Sequence, residues 1–209
     1  MQFRRRALLG IAFLLPFATL DAEAGPRSRP IRTGQTTCFD AAGAEIPCAG
    51  TGQDGELKRG ERRNYADEGN GTIRDKRAGL TWEKLSDDGT IHDRNNVYTW
   101  QEALERIDSL NAMSFAGFDD WRLPNSAELA TLIDFGVGSP AISAPFRTGC
   151  TGGCTVLTCS CMSSGDYWTS TTVEGDPDNA WAVRFLTGAM LAPPKTDSKL
   201  VRAVRGGAN

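Results

Sequence analysis

The chain has 209 residues, 40% of them hydrophobic and 23% charged, with a formal net charge of −3. That length fits one domain with a short extension. The mildly acidic balance excludes the basic footprint of a nucleic-acid binder. Met1-Gln2-Phe3-Arg4-Arg5-Arg6 is followed by an apolar run from Ala7 to Leu20 and by Ala22-Glu23-Ala24, the order of a secretory signal read as residues 1–24. Pro16 and the shortness of the run argue against a membrane-spanning helix, so no span is expected after signal removal. Arg5-Arg6-Ala7-Leu8-Leu9 loosely matches a twin-arginine signal, but a Sec signal is also Arg-rich, and the export route stays open. Taking three Arg and two acidic residues from the 23 basic and 26 acidic leaves a mature net charge of −4. The expected location is periplasmic or secreted.

Residues 25–63 are rich in Gly, Pro, Thr and charge without a sustained apolar period, and read as an irregular arm. All six cysteines lie beyond the signal, where export favours disulfides. Cys38 with Cys48 closes a short loop that pins the arm. Cys150, Cys154, Cys159 and Cys161 are expected to bond among themselves, with three connectivities open. A tetrathiolate metal site is disfavoured, because such sites usually pair two C-x-x-C knuckles across a longer loop.

The domain itself is expected over residues 64–209. Asn70-Gly71 and Ala78-Gly79 are turns flanking two short strands, 72–75 and 80–83. Residues 86–96 form a polar loop. Its His92 is the only histidine of the chain and reads as a solvated loop residue without a catalytic partner. Thr99-Trp100-Gln101-Glu102 is a capping box for a helix whose face is Trp100, Ala103, Leu104, Ile107 and Leu110. Asn125 with Glu128 repeats the device, Leu129, Leu132 and Ile133 give the second face, and Gly136 is the expected stop. Between the helices Trp121 and Arg122 precede Leu123-Pro124, where proline enforces an extended linker.

Residues 137–166 follow as a long irregular section holding the four-cysteine cluster, and loops of that length are functional or specially stabilised. Strands are then expected at 167–172, 181–185, 189–191 and 200–205, with Thr187-Gly188 as a hairpin turn. Helices in the first half and an antiparallel sheet in the second make an α+β domain. Arg202 and Arg205 in the last strand are expected to be satisfied by carboxylates or carbonyls within the sheet.

Several stretches in order carry a resemblance: Gly69-Asn70-Gly71-Thr72-Ile73-Arg74-Asp75, Gly79-Leu80-Thr81-Trp82, Thr99-Trp100-Gln101-Glu102-Ala103, Asp120-Trp121-Arg122-Leu123-Pro124-Asn125, Tyr167-Trp168-Thr169-Ser170-Thr171, Ala180-Trp181 and Val204-Arg205-Gly206-Gly207. Together they resemble the Lcl C-terminal domain family. The resemblance implies a C-type lectin-like fold, two short helices on a twisted antiparallel sheet with a long cysteine-stapled loop region. One member is the C-terminal domain of a collagen-like adhesin that binds sulfated glycosaminoglycans as a trimer. This chain has no Gly-x-y repeat, so that route to a trimer is not implied.

Nothing in the sequence arranges a catalytic group, and the expectation is a non-catalytic ligand-binding domain, glycan-binding or adhesin-like. The alternative is a structural or protein-interaction domain of the envelope. Glu174, Asp176, Asp178 and Asn179 crowd oxygen ligands of the type Ca²⁺ takes into six residues, but a solvated acidic turn is the preferred reading, and no cofactor is expected. That turn and the 137–166 loop are expected to form the ligand surface. Arg147 and Lys195 are its cations for an anionic glycan. Trp82, Trp100, Trp121, Trp168 and Trp181 are expected in the core.

Overall fold

In the computed structural model, residues 30–207 are described; the signal reading of residues 1–24 and the first part of the arm, 25–29, lie outside them. In chain order the elements are β1 (Cys38–Phe39), β2 (Glu45–Ile46), α1 (Asp54–Leu57), β3 (Tyr65–Asp67), β4 (Thr72–Asp75), β5 (Leu80–Glu83), β6 (Val97–Tyr98), α2 (Trp100–Ala112) and α3 (Ser126–Ala130). Then come β7 (Asp166–Val173), β8 (Asp176–Arg184), β9 (Ala189–Leu191), β10 (Lys199–Leu200) and β11 (Val204–Gly206). Short 3₁₀ turns sit at Phe115–Gly117 and Ala144–Phe146.

The strands form three sheets rather than one: the hairpin β1-β2, a four-stranded sheet in the order β11-β5-β4-β3, and a five-stranded sheet in the order β6-β10-β7-β8-β9. Pairing is antiparallel except where β10 meets β7 in parallel, which corrects the expectation of a purely antiparallel sheet. The two strands expected at 72–75 and 80–83 are present with those limits.

Alternation along the β7-β8 hairpin builds the core in two parts. Tyr167 pairs with Val183 and Trp168 with Ala182, so successive residues point to opposite faces. On one face Tyr167, Val183 and Phe185 join Ile73, Trp82 and Val204 of the smaller sheet, Leu129, Leu132 and Ile133 after the hinge, and Phe146, Cys159, Cys161 and Met162 from the long loop. On the other, Trp168 and Ala182 join Ala103, Ile107 and Leu110 of α2 with Trp121, Leu123, Val201 and Ala203. The long loop is therefore substantially core. Ala141, Ile142, Ser143 and Phe146 are buried, and Ile142 bridges to Ile133.

Both capping boxes form. The Thr99 hydroxyl accepts from the Glu102 amide while the Glu102 carboxylate accepts from the Thr99 amide, and Asn125 does the same with Glu128. The second helix stops at Ala130, short of Gly136. Past it Thr131, Leu132 and Ile133 donate to carbonyls three residues back and the Asp134 amide donates to the Ala141 carbonyl, so tertiary pairing overrides continuation of the helix.

The expected strand at 200–205 is also broken. Leu200 pairs with Tyr167 in the larger sheet, whereas Val204 pairs with Trp82 in the smaller one, and residues 201–203 carry the chain between them. Within the hinge, Arg122 grips Glu128 with both terminal nitrogens at 2.8 and 2.7 Å and donates to the Gly206 carbonyl at 3.0 Å. The buried Pro124 offers its carbonyl to the Ser170 amide at 2.8 Å. The linker is thus fixed at both of its ends to the sheets.

The arm has more order than its composition suggests, with β1, β2 and α1 around the Cys38–Cys48 disulfide. Its described residues contribute none to either core cluster. It docks through the Phe135 amide, which donates to the Thr33 carbonyl at 2.8 Å, and through Gly34, whose backbone lies so close to Gly136 that a Cβ there would meet the Gly34 oxygen at 2.1 Å.

Candidate functional site

The acidic stretch 174–179 is the end of a hairpin rather than a free turn. β8 already begins at Asp176, and Glu174 and Gly175 form the tip. The register between β7 and β8 shifts here, so Asp176, Pro177 and Asp178 stand exposed. Asn179 donates its amide to the Asp176 carboxylate at 2.7 Å. Residues 193–195 then stitch this tip to α2: the Ala180 amide donates to the Pro193 carbonyl, the Lys195 amide to the Asp178 carbonyl at 2.8 Å, and the Trp100 amide to the Lys195 carbonyl at 3.0 Å. This places the Lys195 ammonium 4.2 Å from the centroid of the Trp100 ring, within the range of a cation–π contact. Trp100 is half-buried and anchored by its indole N–H to the Thr169 carbonyl at 2.9 Å.

The fold therefore joins the tip that carries Asp176, Asp178 and Asn179, through its backbone, to the segment whose Lys195 lies over the half-buried Trp100 ring. Arg147 is also exposed, but it follows the 3₁₀ turn at Ala144–Phe146 in the disulfide-bearing loop, whose cysteine cluster hydrogen-bonds to Leu85 and Asp87. No hydrogen bond or bridge among the described residues joins that loop segment to the hairpin tip. The three carboxylates of 174–178 do not gather their oxygens within 4.8 Å of one another. The described group that does meet that spacing is Cys150, Cys154 and Cys161. Those sulfurs are committed to disulfides, Cys150–Cys161 and Cys154–Cys159, which selects one of the three open connectivities. No described cysteine is free.

Of the tryptophans, Trp82, Trp121 and Trp168 are buried as expected, while Trp100 and Trp181 are only partly so. Trp168 donates to the Tyr98 carbonyl at 2.8 Å and Trp121 to the Phe115 carbonyl at 3.0 Å. Arg202 and Arg205 are occupied. Arg202 is fully buried and donates to the carbonyls of Glu83 at 2.5 Å and Cys161 at 2.6 Å, and Arg205 pairs with Asp120 at 2.6 Å.

A buried ionic cluster escaped sequence reading. Glu83, at the end of β5, is fully buried, and its Oε1 accepts from Arg106 at 2.5 Å and lies 2.7 Å from His92 Nδ1. Its Oε2 accepts from the Ala203 amide at 2.9 Å. Burial alone would raise the Glu83 carboxyl, but the charge of Arg106, with hydrogen bonds from His92 and Arg106, outweighs it and holds the group down at about 2. His92 is thus not the solvated loop residue expected: its side chain is 13% exposed and its ring lies 4.3 Å from that of Phe115. Among the described residues that ring bonds to Glu83 and to no hydroxyl or thiol. The cluster ties β5, α2, the 86–96 loop and the segment between β10 and β11 together.

These features define an α+β module whose long loop is stapled by nested disulfides and whose smaller sheet is tied to α2 through a buried ionic cluster. The chain belongs to the Lcl C-terminal domain family, whose model matches residues 71–205, from the start of β4 into β11. A search of curated proteins found no match.

Proposed function

We propose that the chain is an exported, non-catalytic binding domain of C-type lectin-like kinship, and that it takes an oligosaccharide on the surface made by Trp100, Lys195 and the β7-β8 tip. One observation carries this reading: a cation sits over a half-exposed indole beside exposed carboxylates and an amide. An aromatic face stacks on the apolar side of a sugar ring, while adjacent polar groups fix the orientation of its hydroxyls. Lys195 makes no ion pair among the described residues, so no carboxylate competes with an acidic sugar for the ammonium that lies over Trp100. Export is in keeping with three disulfides, and no helix among the described residues is long and apolar enough to cross a membrane.

The test is a glycan array with and without calcium, followed by heparin retention at two salt concentrations. Retention at low salt that falls in Lys195→Ala is expected, with Arg147→Ala giving a smaller loss. Wild-type protein that passes unretained would remove the anionic-glycan reading. A protein-interaction role would then lead, and the exposed Phe39, Leu57 and Phe135 favour that second reading.

A further inference from the structure

Where the arm meets the body there is a cleft of about 330 Å³, well away in sequence from the surface just described. Its lining includes four cations, Arg32, Lys58, Arg62 and Arg63, and two acids, Asp54 and Asp134. The two acids already have donors close at hand. The Thr33 hydroxyl donates to Asp54, and the Ser143 hydroxyl and the Gly136 amide donate to Asp134 at 3.1 Å each.

The cations are less well served. Arg32 donates its Nε to the Gly60 carbonyl at 3.0 Å, and Arg63 donates one terminal nitrogen to the Ile133 carbonyl while the other stands 3.9 Å from Asp134. The Nε of Arg63 is buried without a hydrogen-bond partner. The side chains of Lys58 and Arg62 have no hydrogen-bond or ion-pair partner among the described residues, and both are exposed at the rim. A buried guanidinium N–H left unpaired is costly, and the surplus in the cleft is positive. Guanidinium groups match the geometry of planar and tetrahedral oxyanions, and a lysine adds a point charge.

We propose that this cleft is a binding site for a small molecule bearing a doubly charged oxyanion, a phosphate or a pair of carboxylates. Lys58 and Arg62 hold the anion at the mouth, and Arg63 meets it deeper in. The volume is at the small end of ligand pockets, enough for a molecule of about monosaccharide size. Most of the lining belongs to the arm, outside the residues matched to the family, so the site is a property of the arm and body together.

The experiment uses the mature, disulfide-intact chain, titrated with inorganic phosphate and separately with succinate at constant ionic strength, read by calorimetry and thermal shift. Saturable binding of at least one anion is expected. A Lys58→Ala, Arg62→Ala double variant should bind at least tenfold more weakly, and because both side chains are exposed it should keep the wild-type near-UV circular dichroism. Lys195→Ala should bind the anion as wild type does, which separates this site from the glycan surface. Absence of saturable binding to both anions would overturn the proposal, as would binding that survives in the double variant.

Discussion

Glu83 shows how much one residue can hold together when its partners come from distant parts of the chain. Arg106, His92 and Ala203 lie 23, 9 and 120 residues away, so no local pattern in the sequence could reveal the cluster. A strand residue with a carboxylate ordinarily reads as solvent-facing, and the Thr-Trp-Glu run gave no reason to think otherwise. Removing one member of a buried pair leaves the other charge uncompensated, and Glu83→Gln should cost about 3–5 kcal/mol in denaturant unfolding. The pH dependence follows from the same contacts. The folded-state carboxyl is depressed to about 2, below its unfolded value of about 4.3, so its stabilisation is fully present above the unfolded value and drains away as pH falls towards the folded one. Melting temperature measured from pH 6 to pH 2 should drop across that window. The Glu83→Gln variant should show a shallower drop, and parallel curves would refute the assignment. Trp121 is simpler: 3% exposed, with rings of Phe115 and Phe118 beside it, it should lose about 3–5 kcal/mol on truncation to Ala.

At the scale of elements, what the sequence displayed was what depends on near neighbours. Both capping boxes, the β4-β5 pair and the Thr187-Gly188 turn are local devices, and each appears where its residues place it. What it hid was tertiary. The strand at 200–205 breaks because its two halves serve different sheets, and Arg202 can point inward only because carbonyls of Glu83 and Cys161 wait there. The acidic stretch reads as a turn from composition, yet β8 extends into it because Lys195 and Pro193 offer backbone partners. Likewise residues 137–166 read as irregular surface from composition, yet part of that stretch is ordered by becoming core. Thr99→Ala and Asn125→Ala should each cost about 1 kcal/mol, the usual value of a lost side-chain cap. Non-reducing peptide mapping should recover Cys150 linked to Cys161 and Cys154 linked to Cys159. Any other pairing would mean that the loop packs differently against Leu85 and Asp87.

For the molecule as a whole, the division between arm and body can be tested by cutting it. Both core clusters are assembled from residue 65 onward, and β3, the first strand of the smaller sheet, starts there too. Among the described residues the arm brings its own disulfide and short elements but no cluster residue, so its removal takes away cover rather than foundation. That cover is nonetheless real: the Thr33 carbonyl receives the Phe135 amide, Arg77 pairs with Glu61 at 2.7 Å, and Gly34 seals against Gly136. A chain starting at residue 64 is therefore expected to fold with native disulfides 150–161 and 154–159 and to unfold cooperatively at a lower temperature. It should keep whatever heparin retention the full chain shows, because Trp100, Lys195 and the β7-β8 tip are untouched. Phosphate or succinate binding should vanish, because Arg32, Lys58, Arg62 and Arg63 go with the arm. A truncated chain that fails to fold would show that the arm is part of the core in effect, although none of its described side chains enters either cluster.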